Sequence, residues 1–463
     1  MNHRIFRLLL LHGLLILVIL AAACSNKDSA ADPLIPGTDS TLVPQYETPF
    51  AEVPEISDVV MYEINERAFS TTGTFAGILP RLDSIKALSV NVIWLMPIHP
   101  IGVLNTVNSP YCVKNYLKVN PDYGTLEDLR TLVREAHKRK MAVILDWAAN
   151  HTSWDNPWIE NKAWYTQDGN GNIIHPAGTN WQDVADLNYN NADMRLAMIK
   201  AMKYWVLAAN IDGYRCDAAD YVPYDFWKQA IDTLINVPNR KLIMLAEGAR
   251  IDHFEAGFRM NFGWDFFNKS FDVFKNGQAA AGFYQAYLGE YTTIPFGSQK
   301  LHFTSNHDKC AWDDTPLGMF GGKDGSMAAF VITAYMGGVP LIYNGQEIGC
   351  PVKLPFFSRS PIDWTTNPDM FAEYKWLMAL RAAHAALRTG TLQFYQDTDI
   401  AAFKRTEATD EMLVIVNTRN IAKDFAIPAV LQSTVWQDAR NGESVTLGIT
   451  LSLNAFEYRM LIK

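Results

Sequence analysis

The chain has 463 residues, 49% of them apolar and 19% charged, which is enough apolar content for a large core and excludes wholesale disorder. Its 40 basic and 49 acidic residues leave a net charge of −9, and no basic stripe is present, so nucleic acid is excluded as a partner. Aromatic residues reach 12%, with 13 Trp, a supply that suits either a broad aromatic core or a surface that stacks on flat sugar faces.

The first segment is not part of the fold. Arg4 and Arg7 precede an apolar run over residues 8–23, too short for the ~20 residues that span a bilayer. The run leaves through Ala21, Ala22 and Ala23, a secretory cleavage pattern, and Cys24 follows at once. This resembles a lipoprotein signal in which Cys24 is the lipidated first residue. Residues 24–50 are rich in Ser, Asp, Thr and Pro without periodicity and are expected to form a flexible tether. The other cysteines, Cys112, Cys216, Cys310 and Cys350, show no metal-ligand spacing and are expected to be mostly free, buried thiols.

From residue 51 to 388 strand-like runs alternate with helical segments. Strands are predicted at 59–62, 92–95, 142–145, 211–214, 242–246, near Phe262, and at 301–304 and 339–343. Between them, apolar spacing predicts helices around 78–88, after an N-capping Thr125, and over 192–209. Eight apolar strands alternating with helices predict an α/β fold, a (β/α)8 TIM barrel with its sheet covered on the outside. The competing doubly wound sheet would carry a Gly-rich phosphate loop, and none follows any strand. Residues 151–191 are long for a loop and hold Trp154, Trp158, Trp164 and Trp181, so they are expected to leave the barrel as a short, loop-like domain. From residue 389 the period changes to two, and 389–463 is predicted to be an antiparallel β-sandwich.

In a barrel the chemistry sits at the C-terminal ends of the strands. Strand three runs into Asp146 to His151, strand four into Arg215 and Asp217, strand five into Glu247, and strand seven into Asn306, His307 and Asp308. Polar groups at four strand mouths are poorly explained by packing. Three carboxyls at one mouth raise one another's proton affinity, so one stays protonated near neutrality. One ionised and one protonated carboxyl are what glycoside hydrolysis requires. Arg215 lies two residues before Asp217, on the same strand face, and its charge is expected to keep Asp217 ionised. The functional competitor is a metal site, but no His-x-x-x-His pair is present and zinc is not expected.

These motifs resemble the α-amylase family, glycoside hydrolase family 13, in its lipoprotein form. Asp146 to His151 is similar to the family's D-x-x-x-N-H block, residues 213–217 to G-x-R-x-D, and residues 306–308 to N-H-D. Residues 185–188 and 338–347 resemble two further family blocks. The resemblance implies Asp217 as nucleophile, Glu247 as general acid/base and Asp308 as transition-state stabiliser. It also implies that Tyr111 stacks on the sugar, that His151 and His307 hydrogen-bond its hydroxyls, that Arg215 orients Asp217, and that Asp146 supports the site from beneath. Two positions depart from the family: Ser109-Pro110 stands where His-Gly is common before the tyrosine, and Asp220-Tyr221 where Lys-His is common after the nucleophile. The second lies on the leaving-group side in relatives, so it bears on product pattern, and it touches the family's calcium site. Asn150, Asp186 and the Tyr221 carbonyl would be the hard oxygen donors for a structural calcium, while the chemistry itself requires no cofactor.

The expected activity is retaining hydrolysis of α-1,4-glucosidic bonds in starch or maltooligosaccharides. The alternatives are a transglycosylase, a cyclodextrin- or pullulan-degrading relative, and a non-catalytic surface glycan-binding protein, which loss of the carboxyl trio would mark. The expected location is the cell envelope, lipid-anchored with Ser25 directing it to the outer membrane, and the partners beyond the glucan are glycan-uptake proteins.

Overall fold

A computed structural model describes residues 43–463. The signal segment, Cys24 and the tether up to residue 42 lie outside the described residues. The last part of the expected tether is not free chain. The Tyr46 N–H donates to the Leu207 carbonyl at 2.8 Å, the Arg130 guanidinium lies 4.1 Å over the Tyr46 ring, and Phe50 stacks on His137 at 4.3 Å. Aromatic burial holds residues 46–50 on the domain, an effect that polar composition alone hides.

Eight parallel strands close into a barrel. They are β1 (Met61–Ile64), β2 (Val92–Leu95), β3 (Ala142–Ala148), β6 (Gly213–Asp217), β7 (Ile243–Ala246), β8 (Met260–Phe262), β9 (Gln299–His302) and β10 (Val339–Tyr343). β10 pairs back onto β1, with Met61 opposite Leu341. Between β3 and β6 the chain leaves the barrel and forms the antiparallel pair β4 (His151–Ser153) and β5 (Val184–Asp186). The longer covering helices are α1 (Leu126–Lys138), α2 (Ala192–Ala208), α3 (Tyr224–Ile235), α4 (Trp264–Lys275), α5 (Gly282–Tyr291), α6 (Gly322–Tyr335) and α7 (Pro368–Ala383). Thr125 caps α1 with a full capping box: its hydroxyl accepts the Asp128 N–H, and the Asp128 carboxylate accepts the Thr125 N–H.

Seven of the eight barrel strands bury apolar side chains in one core, among them Met61, Trp94, Ile144, Leu245, Phe262 and Leu341, while β6 brings Arg215 and Asp217. Strand ends differ from the sequence expectation where chemistry sits. β1 runs on through Glu63, and β6 starts at Gly213 and runs through Arg215 to Asp217, with Asp146 opposite Arg215. The backbone ladder continues through polar residues that interrupt an apolar run.

Beyond the barrel lie β11 (Thr391–Tyr395), β12 (Ile400–Glu407), β13 (Asp410–Asn417), β14 (Lys423–Ala426), β15 (Val435–Asp438), β16 (Ser444–Thr446), β17 (Thr450–Leu453) and β18 (Tyr458–Ile462). Six form one antiparallel sheet in the order β11-β12-β13-β18-β15-β16, and β14 pairs with β17. Phe425 and Leu453 of the small pair pack with Leu413, Ile415 and Leu461 of the large sheet, giving a two-layer sandwich. Cys112, Cys216, Cys310 and Cys350 are free and buried.

Candidate active site

The site is built outward from one cation. Arg215 and Asp217 are two residues apart on β6 and share a face. The fully buried Arg215 places Nη1 2.8 Å from Asp146 Oδ1 and 2.9 Å from Asp217 Oδ1, and Nη2 2.9 Å from Glu247 Oε1. The rings of Trp94 and Phe262 wall it in, so its charge is little screened by water. Glu247 follows β7, and its Oε2 accepts the Ala218 N–H at 2.8 Å. Ala218 takes up a left-handed conformation, φ 43° and ψ 42°, that an alanine rarely adopts. The bend directs that N–H at the carboxylate.

Burial sets the proton affinities. It pushes Asp217 up to about 6, against the opposing pull of Arg215. It pushes Glu247 up to about 7, with Asp217 and Asp308 adding to the rise and Arg215 opposing it. Arg215 therefore limits the rise at Asp217 but does not cancel it. Both carboxyls are thus raised by burial, Glu247 to the higher value.

A second buried chain of hydrogen bonds lies beside the first. Tyr111 donates its hydroxyl proton to Asp146 Oδ2 at 2.9 Å and accepts from His307 Nε2 at 2.8 Å. His307 Nδ1 lies 2.5 Å from Glu63 Oε1, at the end of β1. Burial disfavours the charged imidazole, but Asp308 and Glu63 outweigh it and raise His307 to about 9. Asp308 Oδ2 stands 3.4 Å from His307 Nε2. His151 differs: burial lowers it to about 4, so it is neutral in the working range.

Asp217, Glu247, Asp308, Tyr111, His151 and His307 line a cleft of about 540 Å³, and Arg215 lies directly beneath it. Asp146 is fully buried and holds Arg215, Tyr111 and the Trp94 indole N–H. Sequence reasoning missed Glu63 and the aromatic wall of Trp312, Phe356 and Phe357. Glu63 had a signal, one ionisable residue within an apolar strand. The wall had none, because two phenylalanines in a loop read like core.

Among the described residues, no group of three or more His, Cys, Asp or Glu side chains could hold a metal ion. The set expected for calcium offers one carboxylate, Asp186, and the Asn150 amide nitrogen lies 3.4 Å from His151 Nδ1. That set fits a hard divalent cation poorly, since sites for such ions are rich in carboxylate oxygen.

Known proteins resemble this chain in sequence and fold. The alpha-amylase catalytic-domain family matches residues 56–171 and 160–259. Alpha-amylase 3 of Dictyoglomus thermophilum is 27% identical over 445 residues, covering 80% of this chain and 87% of that protein. A cyclomaltodextrinase of a Bacillus species is 26% identical over 378 residues, covering 74% of this chain and 65% of that protein. The crystal structure of an alpha-amylase from Lactobacillus plantarum superposes with a TM-score of 0.80 at 26% identity, covering 88% of this chain and 99% of that one. The barrel with its buried carboxyl cluster is thus similar to the catalytic domain of the α-amylase family, and the chain is a glycoside hydrolase of α-amylase type.

Proposed function

We propose that the cleft hydrolyses α-1,4-glucosidic bonds of starch or maltooligosaccharides by double displacement. The observation that carries this is one guanidinium held between Asp217 and Glu247, with the higher proton affinity on Glu247. Carboxyls paired to the two ends of one guanidinium sit close together. That spacing suits direct attack better than activation of a water lying between them. Asp217 attacks the anomeric carbon while Glu247 gives its proton to the departing oxygen, and the bond's electron pair leaves with that oxygen. Glu247, now a carboxylate, takes a proton from water. The resulting nucleophile breaks the bond to Asp217 with a second inversion. Asp308 and the cationic His307 engage the hydroxyls of the distorted sugar, and the neutral His151 can either donate or accept.

The test compares the protein with Asp217→Asn on amylose, maltooligosaccharides, pullulan and cyclodextrin, with the first-formed anomer read by NMR. The expected result is an α-configured product and a loss of about 10⁴-fold in kcat for the variant. Equal rates from both proteins, or an initially β-configured product, would overturn the reading. Transfer to a sugar acceptor is the second reading. It is favoured by Tyr221, 52% exposed, whose ring lies 5.5 Å from that of Trp181 at the cleft edge. Products longer than the substrate would identify it.

The same proposal extends to location. Arg4, Arg7, the apolar run and Cys24 support a lipid-anchored enzyme of the cell envelope that works beside glycan-uptake proteins. Replacing Cys24 by Ala should release activity from the detergent phase into the aqueous phase in phase partition. Activity that partitions alike with and without Cys24 would refute the anchor.

A further inference from the structure

Trp312 lies in a π-helical turn, Lys309–Asp313, that follows Asp308 directly. Such widened turns are frequent at functional sites. Its indole is 60% exposed at the rim of the cleft, although the chain beneath it is firmly held. Cys310 is buried in an apolar cluster with Leu354 and accepts the Leu354 N–H at 3.4 Å. Arg67 donates to the Phe356 carbonyl at 2.8 Å, and Asn108 to the Phe357 carbonyl at 2.5 Å. Leaving so large an apolar ring in water on a rigid support gains nothing for the fold.

The rings form a path. Phe356 stands edge-on to His307, with centroids 5.3 Å apart, and Trp312 stands near-perpendicular to both Phe356 and Phe357, at 5.7 and 5.5 Å. The path leads outward from the residues around the cleaved sugar. Its direction follows from the acid. Glu247, the proposed proton donor, is held by the Ala218 N–H, and the turn from Ala218 leads to Tyr221 beside Trp181, which also stands T-shaped to His151 at 5.7 Å. Trp312 reaches the cleft through Phe356 and His307, next to Asp308, and this contact path assigns it to the side away from the proton donor.

We propose that Trp312 is the stacking platform for a glucose ring beyond the cleaved one, on the side away from the leaving group, and that it sets the shortest chain cleaved efficiently. This rests on the α-glucan reading above. A pyranose presents an apolar face of C–H groups, which an exposed indole face matches, and a pre-held ring loses little freedom on binding.

The experiment measures nitrophenol release from 4-nitrophenyl α-glucoside, α-maltoside and α-maltotrioside. These place one, two and three sugars on the non-leaving side. In Trp312→Ala, kcat/KM should fall by about tenfold on the maltotrioside, mainly through KM, and by no more than about twofold on the glucoside. Trp312→Phe should recover most of the loss. If the glucoside is cleaved too slowly to read, the maltoside-to-maltotrioside ratio carries the comparison. An equal loss on every substrate, as from misfolding, or no loss at all, as from a ring that serves a protein partner instead, overturns the proposal. Failure of the unaltered enzyme on amylose and all three glycosides would instead refute the α-glucan reading.

Discussion

Glu63 carries no proton in the proposed chemistry, yet it governs one that matters. Its Oε1 accepts from His307 Nδ1, and its Oε2 has no hydrogen-bond partner within a fully buried site. A buried carboxylate in that state is tolerated because the imidazole beside it is cationic. Glu63→Gln keeps the shape and removes the charge. His307 should then titrate well below its value of about 9, read by NMR, and kcat/KM should fall by about 10- to 100-fold. An unshifted imidazole would remove Glu63 from this role. The carboxyl pair sets the pH profile. Asp217 must be ionised, so activity is lost as pH falls through about 6, and Glu247 must be protonated, so activity is lost as pH rises through about 7. These two limbs belong to the interacting pair and should appear as a narrow bell in kcat/KM. A profile flat from pH 4 to 9 would contradict this ordering.

Individual elements show which parts of the architecture could be read from the chain. Most barrel strands were legible as apolar runs bounded by turns, β6 and β9 starting only two residues out of place because polar residues make up much of each, and α1 was legible from Thr125 and its acidic first turn. β14 and β17 were not, because each is four residues long and buries little beyond Phe425 and Leu453. In the site, Asp217, Glu247 and Asp308 were legible as polar residues directly after apolar runs. The cation shared by Asp217 and Glu247 could be placed on the right face but not in the right surroundings, since Trp94 and Phe262 come from distant strands. The entry to β6 is a demanding point. Gly213 sits at φ 146°, and a Cβ there would lie 1.9 Å from the Ile243 carbonyl oxygen. Gly213→Ala should therefore abolish soluble, active protein, because backbone on β7 cannot move aside. At α1, removing the cap with Thr125→Ala should cost about 1 kcal/mol in denaturant unfolding and leave kcat unchanged.

At the scale of the whole molecule, two arginines tie the sandwich to the barrel. Arg405 on β12 donates to the Ala386 and Met336 carbonyls at 3.1 and 2.6 Å, and burial lowers its proton affinity. Arg419 donates to the Val273 carbonyl at the end of α4 and to the Gln278 carbonyl, both at 2.7 Å. A cation spent on backbone carbonyls leaves orphaned acceptors when it is removed. Arg405→Ala should cost about 3 kcal/mol of unfolding free energy. A loss below about 0.5 kcal/mol would show that apolar packing alone joins the two parts.

The four sulfhydryl groups among the described residues are buried far from the conditions under which sulfur reacts. Burial pushes Cys112 and Cys310 up to about 12 and Cys216 further still, so almost none of this sulfur exists as the nucleophilic thiolate at neutral pH. The folded enzyme should therefore work equally well with dithiothreitol or with a mild oxidant. The same groups become a hazard only while the chain is unfolded, when four unshielded sulfurs could pair wrongly. Iodoacetamide should label these four cysteines only as fast as the fold opens, which makes their alkylation a clock for unfolding.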